Sequence, residues 1–325
     1  MAVTQMKSPA PAQPRQNRMT LASITKGKRP TPFRLLIHGV DGVGKSSFAA
    51  SAPTPVFLGP EDGTNHLDVA RFPVPATWED VMDALRTLAG DRGGFETLVI
   101  DSLDWLEPLV WQHVCAAANN PRIKAIEDVG GGYGKGYVAA LDEWRRFLAA
   151  LEYLQRNQGM HVLLVAHSFI KSFRNPEGED FDRYVLKLHE KAAALCREWC
   201  EGVYFAQFET FSVKDKAKRV KGVSTGARLL HTQRTAAFDA KDRYGLPDRI
   251  ALDWTEFQTA ATKGRLGEVQ AMVELIKANA EALGGELKGQ ALDYLAKAGG
   301  DVEKVTKLVT WTNTKLGLKV EKESN

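Results

Sequence analysis

The sequence is poor in the features that would place a chain outside the cell or in a membrane. Its three cysteines, Cys115, Cys196 and Cys200, form no paired framework. No histidine or further cysteine stands at metal-ligand spacing, so they read as buried or free thiols of a reducing cytoplasm. No stretch approaches the ~18 apolar residues of a membrane span. The first residues lack the apolar core of a signal peptide. Internal repeats are absent. Residues 1–30 contain no acid; with Lys7, Arg15, Arg18, Lys26, Lys28, Arg29 and four prolines they read as a basic, disordered arm. The remainder is ordinary. Of 325 residues, 44% are hydrophobic and 26% charged, which suits one large or two modest domains. A net charge of +3 permits a polyanionic partner without requiring one.

From residue 33 the chain alternates apolar runs with helical patterns. The runs are "FRLLIH" (33–38), "PVFLG" (55–59), "TLVIDS" (97–102) and "HVLLVAH" (161–167), each short and nearly continuous, as in parallel strands covered on both faces. Between them lie "WEDVMDALRTLAG" (78–90) and "VAALDEWRRFLAALEYLQRN" (138–157), with helical periodicity. The alternation predicts an α/β fold with a mainly parallel sheet and crossover helices over 31–260. Two later runs, 203–213 and 227–233, are more polar and hairpin-like, and predict an antiparallel edge. Residues 261–325 predict a small helical domain. There Leu266, Val269, Val273 and Ile276 share a face, and Asp301 reads as the N-cap of a last helix.

Directly after the first run comes "HGVDGVGKSS". Gly39-x-x-x-x-Gly44-Lys45-Ser46 is the spacing of a phosphate-cradling P-loop. Gly39, Gly42 and Gly44 let backbone N–H groups converge on phosphate oxygens, with Val40, Asp41 and Val43 completing the loop. The following helix begins with Lys45, Ser46 and Ser47 and adds its N-terminal dipole. Lys45 is positioned for the outer phosphates of ATP, and the Ser46 hydroxyl for Mg²⁺. A second metal anchor must end another buried strand; Asp101 of "TLVIDS" is the candidate. Position 102 is serine rather than glutamate, so a base for water must come from elsewhere. "VFLGPEDG" offers Glu61, with Asp62 as the alternative. His167, closing the fourth run, is the candidate γ-phosphate sensor. The Asn-Lys-x-Asp guanine signature is missing.

These residues together resemble the RecA/RadA-like ATPases. "LVIDSLDWLEP" is similar to their aspartate–serine strand followed by an apolar residue and a proline. The resemblance implies a RecA-like P-loop NTPase core with a mainly parallel sheet. It also implies a catalytic glutamate after the second strand and a polar sensor, usually glutamine, closing the next core strand; here His167 takes that place. "FDAKDRYGL" is similar to the family's Lys-x-Arg motif, implying that Lys241 and Arg243 complete the nucleotide site of a neighbouring subunit in a ring or filament. With "GGGYGKGY", the likeness is nearest to phage-encoded recombination and single-strand-annealing proteins. The implied function is ATP hydrolysis coupled to single-stranded DNA in recombination, annealing or repair, with a single-strand-binding protein as a further partner. A translocating helicase-type motor and an ATP-gated DNA-binding module are the alternatives.

Two segments carry rings and cations suited to stacking bases and following phosphates. One is "EDVGGGYGKGY" (127–137), with Tyr133, Lys135 and Tyr137. The other is "SFIKSFRNPEGEDFDRY" (168–184), with Lys171, Phe173, Arg174 and Arg183. Both read as loops. "KDKAKRVKG" (214–222) is a third basic stretch.

Overall fold

A computed structural model describes residues 20, 31–61, 63–176, 178–214, 220–298 and 302–317. Most of the basic arm, Asp62, most of the 214–222 stretch and Asp301 lie outside them. The chain divides into two compact units, Thr31–Leu275 and one taking in the described residues from 276 onward.

The first unit is built on a nine-stranded sheet among the described residues. Its strands are β1 (Arg34–Gly39), β2 (Pro55–Leu58), β3 (Ala70–Arg71), β4 (Thr97–Asp101), β5 (His161–Phe173), β6 (Phe181–Leu186), β7 (Gly202–Lys214), β8 (Val220–His231) and β9 (Arg249–Ala251). The order is β3-β2-β4-β5-β1-β7-β8-β9, with β6 paired to β5. Pairing is parallel from β3 through to β7 and antiparallel for β7–β8, β8–β9 and β5–β6. The helices are α1 (Lys45–Ala50), α2 (Trp78–Gly90), α3 (Leu103–Ala117), α4 (Lys135–Asn157), α5 (Glu190–Trp199) and α6 (Trp254–Leu283). This is a P-loop NTPase fold with a mostly parallel sheet and helices after it.

The continuous apolar strands are explained by two cores, one on each face. Leu36, Leu98, Ile100, Val162 and Leu164 pack among residues of α2, α3, α4 and α5. Their neighbours Leu35, Ile37, Val99, Leu163 and Val165 point the other way, toward Phe48, Trp254 and Phe257. Alternate residues of one strand thus serve opposite layers. Leu35, Leu36 and Ile37 are fully buried, each contributing about 1.5–3 kcal/mol. The polar interruption, His38, bonds through Nδ1 to Ser168 Oγ at 2.9 Å and through Nε2 to the Asp239 carbonyl at 3.0 Å. Burial depresses its pKa to about 4, so the ring is a neutral tie between β1, β5 and the 239 segment.

α2 occupies the predicted span and starts on a capping box, in which Thr77 Oγ1 accepts from the Asp80 N–H and Asp80 accepts from the Thr77 N–H. The segment 168–184, expected as a loop, is instead a hairpin. Phe169 through Phe173 continue β5 past the core sheet and pair with β6. Alternating β-prone side chains sustain the ladder beyond the buried run. In the second unit, the end of α6 is followed by α7 (Gly285–Ala298) and α8 (Val302–Lys315). Asn279 is buried there, its amide donating to Thr312 Oγ1 at 3.0 Å and Asn313 Oδ1 at 2.7 Å. Among the described residues no helix is long and apolar enough to cross a membrane.

β2 leaves the sheet beside the end of β4 through Gly59, where a Cβ would sit 1.7 Å from the Asp101 carbonyl oxygen. Gly59→Ala must push the two strand ends apart, and we expect it to lower stability by about 1–3 kcal/mol. Urea denaturation measures this; an unchanged midpoint would contradict the close approach.

Candidate functional site

Parallel pairing sets the site. Gly39 is in register with His167, and Asp101 with Val165. The carboxyl ends of β1 and β4 and the middle of β5 at His167, where it leaves the core sheet, therefore border one crevice, the place where ligands of open α/β sheets bind. At the end of β1 the chain turns sharply. Gly42 and Gly44 adopt φ of 69° and 104°, the left-handed region that only glycine enters without strain. Gly44 caps α1. Gly39 is needed for another reason: a Cβ there would lie 2.0 Å from the Ala206 carbonyl oxygen on β7.

A cavity of about 320 Å³ is lined by Gly42, Gly44, Lys45, Ser46, Ser47, Glu61, Gly63, His66, Asp101, His167 and Arg228. Lys45 is buried, and its Nζ donates to the carbonyls of Gly39 at 3.2 Å and Val40 at 2.9 Å. Burial pulls its pKa down, opposed by the carboxylates of Asp41, Asp101, Asp104 and Glu61. Burial pushes the Asp101 carboxyl up, while a hydrogen bond from Ser46 and the charge of Lys45 pull it back. A buried carboxylate bonded to a serine hydroxyl is a hard oxygen pair suited to Mg²⁺. The described residues hold no cluster of three or more histidine, cysteine, aspartate or glutamate ligands. Mg²⁺ here would thus take its remaining ligands from phosphate and water, as that ion usually does.

Glu61 faces the same space, its Oε2 3.5 Å from Ser102 Oγ. Burial raises its pKa, with His167 opposing and the charges of Asp101 and Asp104 adding to the rise. A carboxylate so raised is a better proton acceptor near neutral pH.

Asp104 was not singled out in the sequence. It lies in the first turn of α3 and accepts twice from His167, from the backbone N–H at 3.0 Å and from Nδ1 at 2.9 Å. The far ring nitrogen, Nε2, is 3.7 Å from Asp41 of the P-loop. The bond to Asp104 raises the His167 pKa against burial and the charge of Lys45. For Asp104 burial acts upward, but the bonds from His167 prevail and hold its carboxyl low. The spacing Asp101-x-x-Asp104 was the available signal, since a helix start follows the strand.

The other expected residues lie apart from this cavity. Lys241 Nζ donates to the carbonyls of Arg197 at 2.7 Å and Glu198 at 3.4 Å, near the end of α5. Arg243 is exposed. Tyr133 is fully exposed at φ 55°, among glycines of positive φ. Lys135 is exposed at the start of α4, and Lys171 and Arg174 are exposed on the β5–β6 hairpin. Phe173 is partly covered by Phe181 at 5.2 Å. Two of the residues expected to face DNA have partners within the chain. Tyr137 stacks on His189 at 4.3 Å and donates to Glu127 Oε1 at 2.5 Å. Arg183 is buried and paired with Asp239 at 2.5 Å, a carboxylate it shares with Arg197 at 2.6 Å. Beside it an open groove of about 840 Å³ is lined by Lys171, Arg174, Arg197, Arg234 and Lys241 among others.

Comparison with protein families matches residues 31–244 to an AAA domain family, AAA_24. The chain belongs to that family. The match takes in both the P-loop and the Lys241/Arg243 segment, so this AAA domain occupies most of the sheet-bearing unit. No curated protein matches. Among solved structures, the RadB recombinase aligns at 14% identity and a TM-score of 0.36, covering 62% of this chain and 80% of that one.

Replacing Asp104 with Asn removes the acceptor charge facing Nδ1. The pair's contribution to stability is present below the unfolded histidine pKa and is lost as pH rises through the raised pKa of His167. At the acid end it is lost as pH falls through the lowered pKa of Asp104. In Asp104→Asn, NMR titration of the His167 ring should show its midpoint shifted to lower pH; an unmoved midpoint contradicts the assignment.

Proposed function

We propose that this AAA domain binds and slowly hydrolyses ATP with Mg²⁺, coupling that cycle to single-stranded DNA in recombination, annealing or repair. One observation carries the reading: Lys45 and Ser46 of the P-loop line a single cavity beside the parallel strands together with Glu61, Asp101 and His167 from later segments. The P-loop amides and Lys45 hold the phosphates. Ser46 and Asp101 hold Mg²⁺, which when bound neutralises phosphate charge. Glu61 accepts a proton from water, and His167, its ring held by Asp104, faces the terminal phosphate.

The DNA part of the proposal draws on the sequence resemblance to RecA/RadA-like proteins, with support from the exposed Tyr133, Lys135, Lys171 and Arg174. Rings there stack bases, and cations follow the backbone without reading sequence. The proposal also includes assembly of several copies. Of the Lys-x-Arg pair, exposed Arg243 acts on the neighbouring site, while Lys241 anchors the segment to α5.

ATPase rate measured across protein concentration, with and without single-stranded DNA, tests this. The rate should rise with DNA and show a concentration threshold; a flat, DNA-indifferent rate contradicts the proposal. Glu61→Gln should lower turnover by about 10²–10⁴-fold while ATP still binds. Undiminished turnover would remove Glu61 from the mechanism.

A further inference from the structure

Arg228 has no place in the motifs read from the sequence, yet it lines the cavity with Gly44, Lys45, Ser46 and Ser47. It stands on β8, separated from β1 by β7. Its register partner is Phe208, and the ladder is irregular just beyond, passing from Phe208–Arg228 to Thr210–Ser224. Such irregularities re-aim side chains and recur beside functional sites. The guanidinium lies over the Phe208 ring, 5.9 Å from its centroid. It reaches the P-loop itself: a Cβ on Gly44 would sit 2.7 Å from Arg228 Nη1. Gly44 itself is fixed as glycine by its φ of 104°, and the Arg228 guanidinium, at the free end of a flexible side chain, comes to rest against it. Arg228 is exposed, and among the described residues no carboxylate pairs with it.

We propose that Arg228 supplies a guanidinium, from within the same chain, to the phosphates of the nucleotide held by the P-loop. The inference rests on the reading of this cavity as an ATP site and adds a binding residue to it. A planar guanidinium can give a phosphate two parallel hydrogen bonds, which an ammonium such as Lys45 cannot. The cavity lining also carries Glu61 and Asp101, so a second cation offsets repulsion that a triphosphate would otherwise meet. Arg228 thus serves affinity in the single chain, whereas Arg243 serves turnover in the assembly.

Equilibrium binding of a fluorescent ATP analogue, at concentrations where the chain is monomeric, tests the proposal. Arg228→Ala should weaken binding by roughly ten- to a hundredfold. Arg228→Lys should fall between wild type and Arg228→Ala, and both should retain the wild-type circular dichroism spectrum. At concentrations where copies associate, a mixture of the Arg228→Ala and Lys45→Ala chains should bind no more tightly than Arg228→Ala does, because neither site then holds both cations. Unchanged affinity in Arg228→Ala, where Lys45→Ala abolishes binding, overturns the role of Arg228 alone. Rescue in the mixture overturns its action within one chain. Intact affinity in Lys45→Ala would bring down the nucleotide reading itself, and this inference with it.

Discussion

The site depends on the parallel pairing of β4, β5 and β1. Because all three strands run in one direction, β1 and β4 finish on the edge where β5 leaves the core sheet, and the register sets Gly39 beside His167 with Asp101 two residues back. A slip of one residue would turn the buried positions to the wrong face. The alternation of core residues between two layers resists such a slip. The hydrophobic cores thus fix where the P-loop begins and where Asp101 and His167 stand, and the chemistry inherits that precision.

The electrostatics of the crevice are those of a cation trap with one cationic rim. Asp41, Glu61, Asp101 and Asp104 all bear on Lys45. Taken alone, that many carboxylates would repel a triphosphate. The P-loop amides, Lys45, a histidine whose protonated form Asp104 favours, and Arg228 against Gly44 supply the opposing sign. On the proposed reading Mg²⁺ completes the balance, standing between the Ser46–Asp101 pair and the phosphates. The acids then become the reason for the metal rather than an obstacle to the nucleotide.

Much of this was legible in the sequence, and the rest has physical reasons for being hidden. Strands buried on both faces leave unbroken apolar runs, so β1, β2, β4 and the first half of β5 stood out. The second half of β5 and β6 did not, because an exposed hairpin mixes rings with acids and reads as a loop. Gly39, Gly42, Gly44, Lys45 and Ser46 declare themselves by local spacing. Arg228 cannot: it is brought to Gly44 by a sheet order that no local pattern encodes. Tyr137 and Arg183 show the converse: their partners within the chain were not legible. An aromatic or a cation near glycines looks available for nucleic acid until the fold supplies His189 and Asp239 as partners.

In the proposed function the Ser46–Asp101 pair makes nucleotide binding depend on metal. Calorimetric titration of ATP into wild type and Asp101→Asn, with Mg²⁺ and with chelator, measures that directly. Wild type should bind ATP much more tightly with Mg²⁺, and Asp101→Asn should lose most of that difference. ATP affinity indifferent to Mg²⁺ in wild type, or an undiminished Mg²⁺ effect in Asp101→Asn, would contradict it.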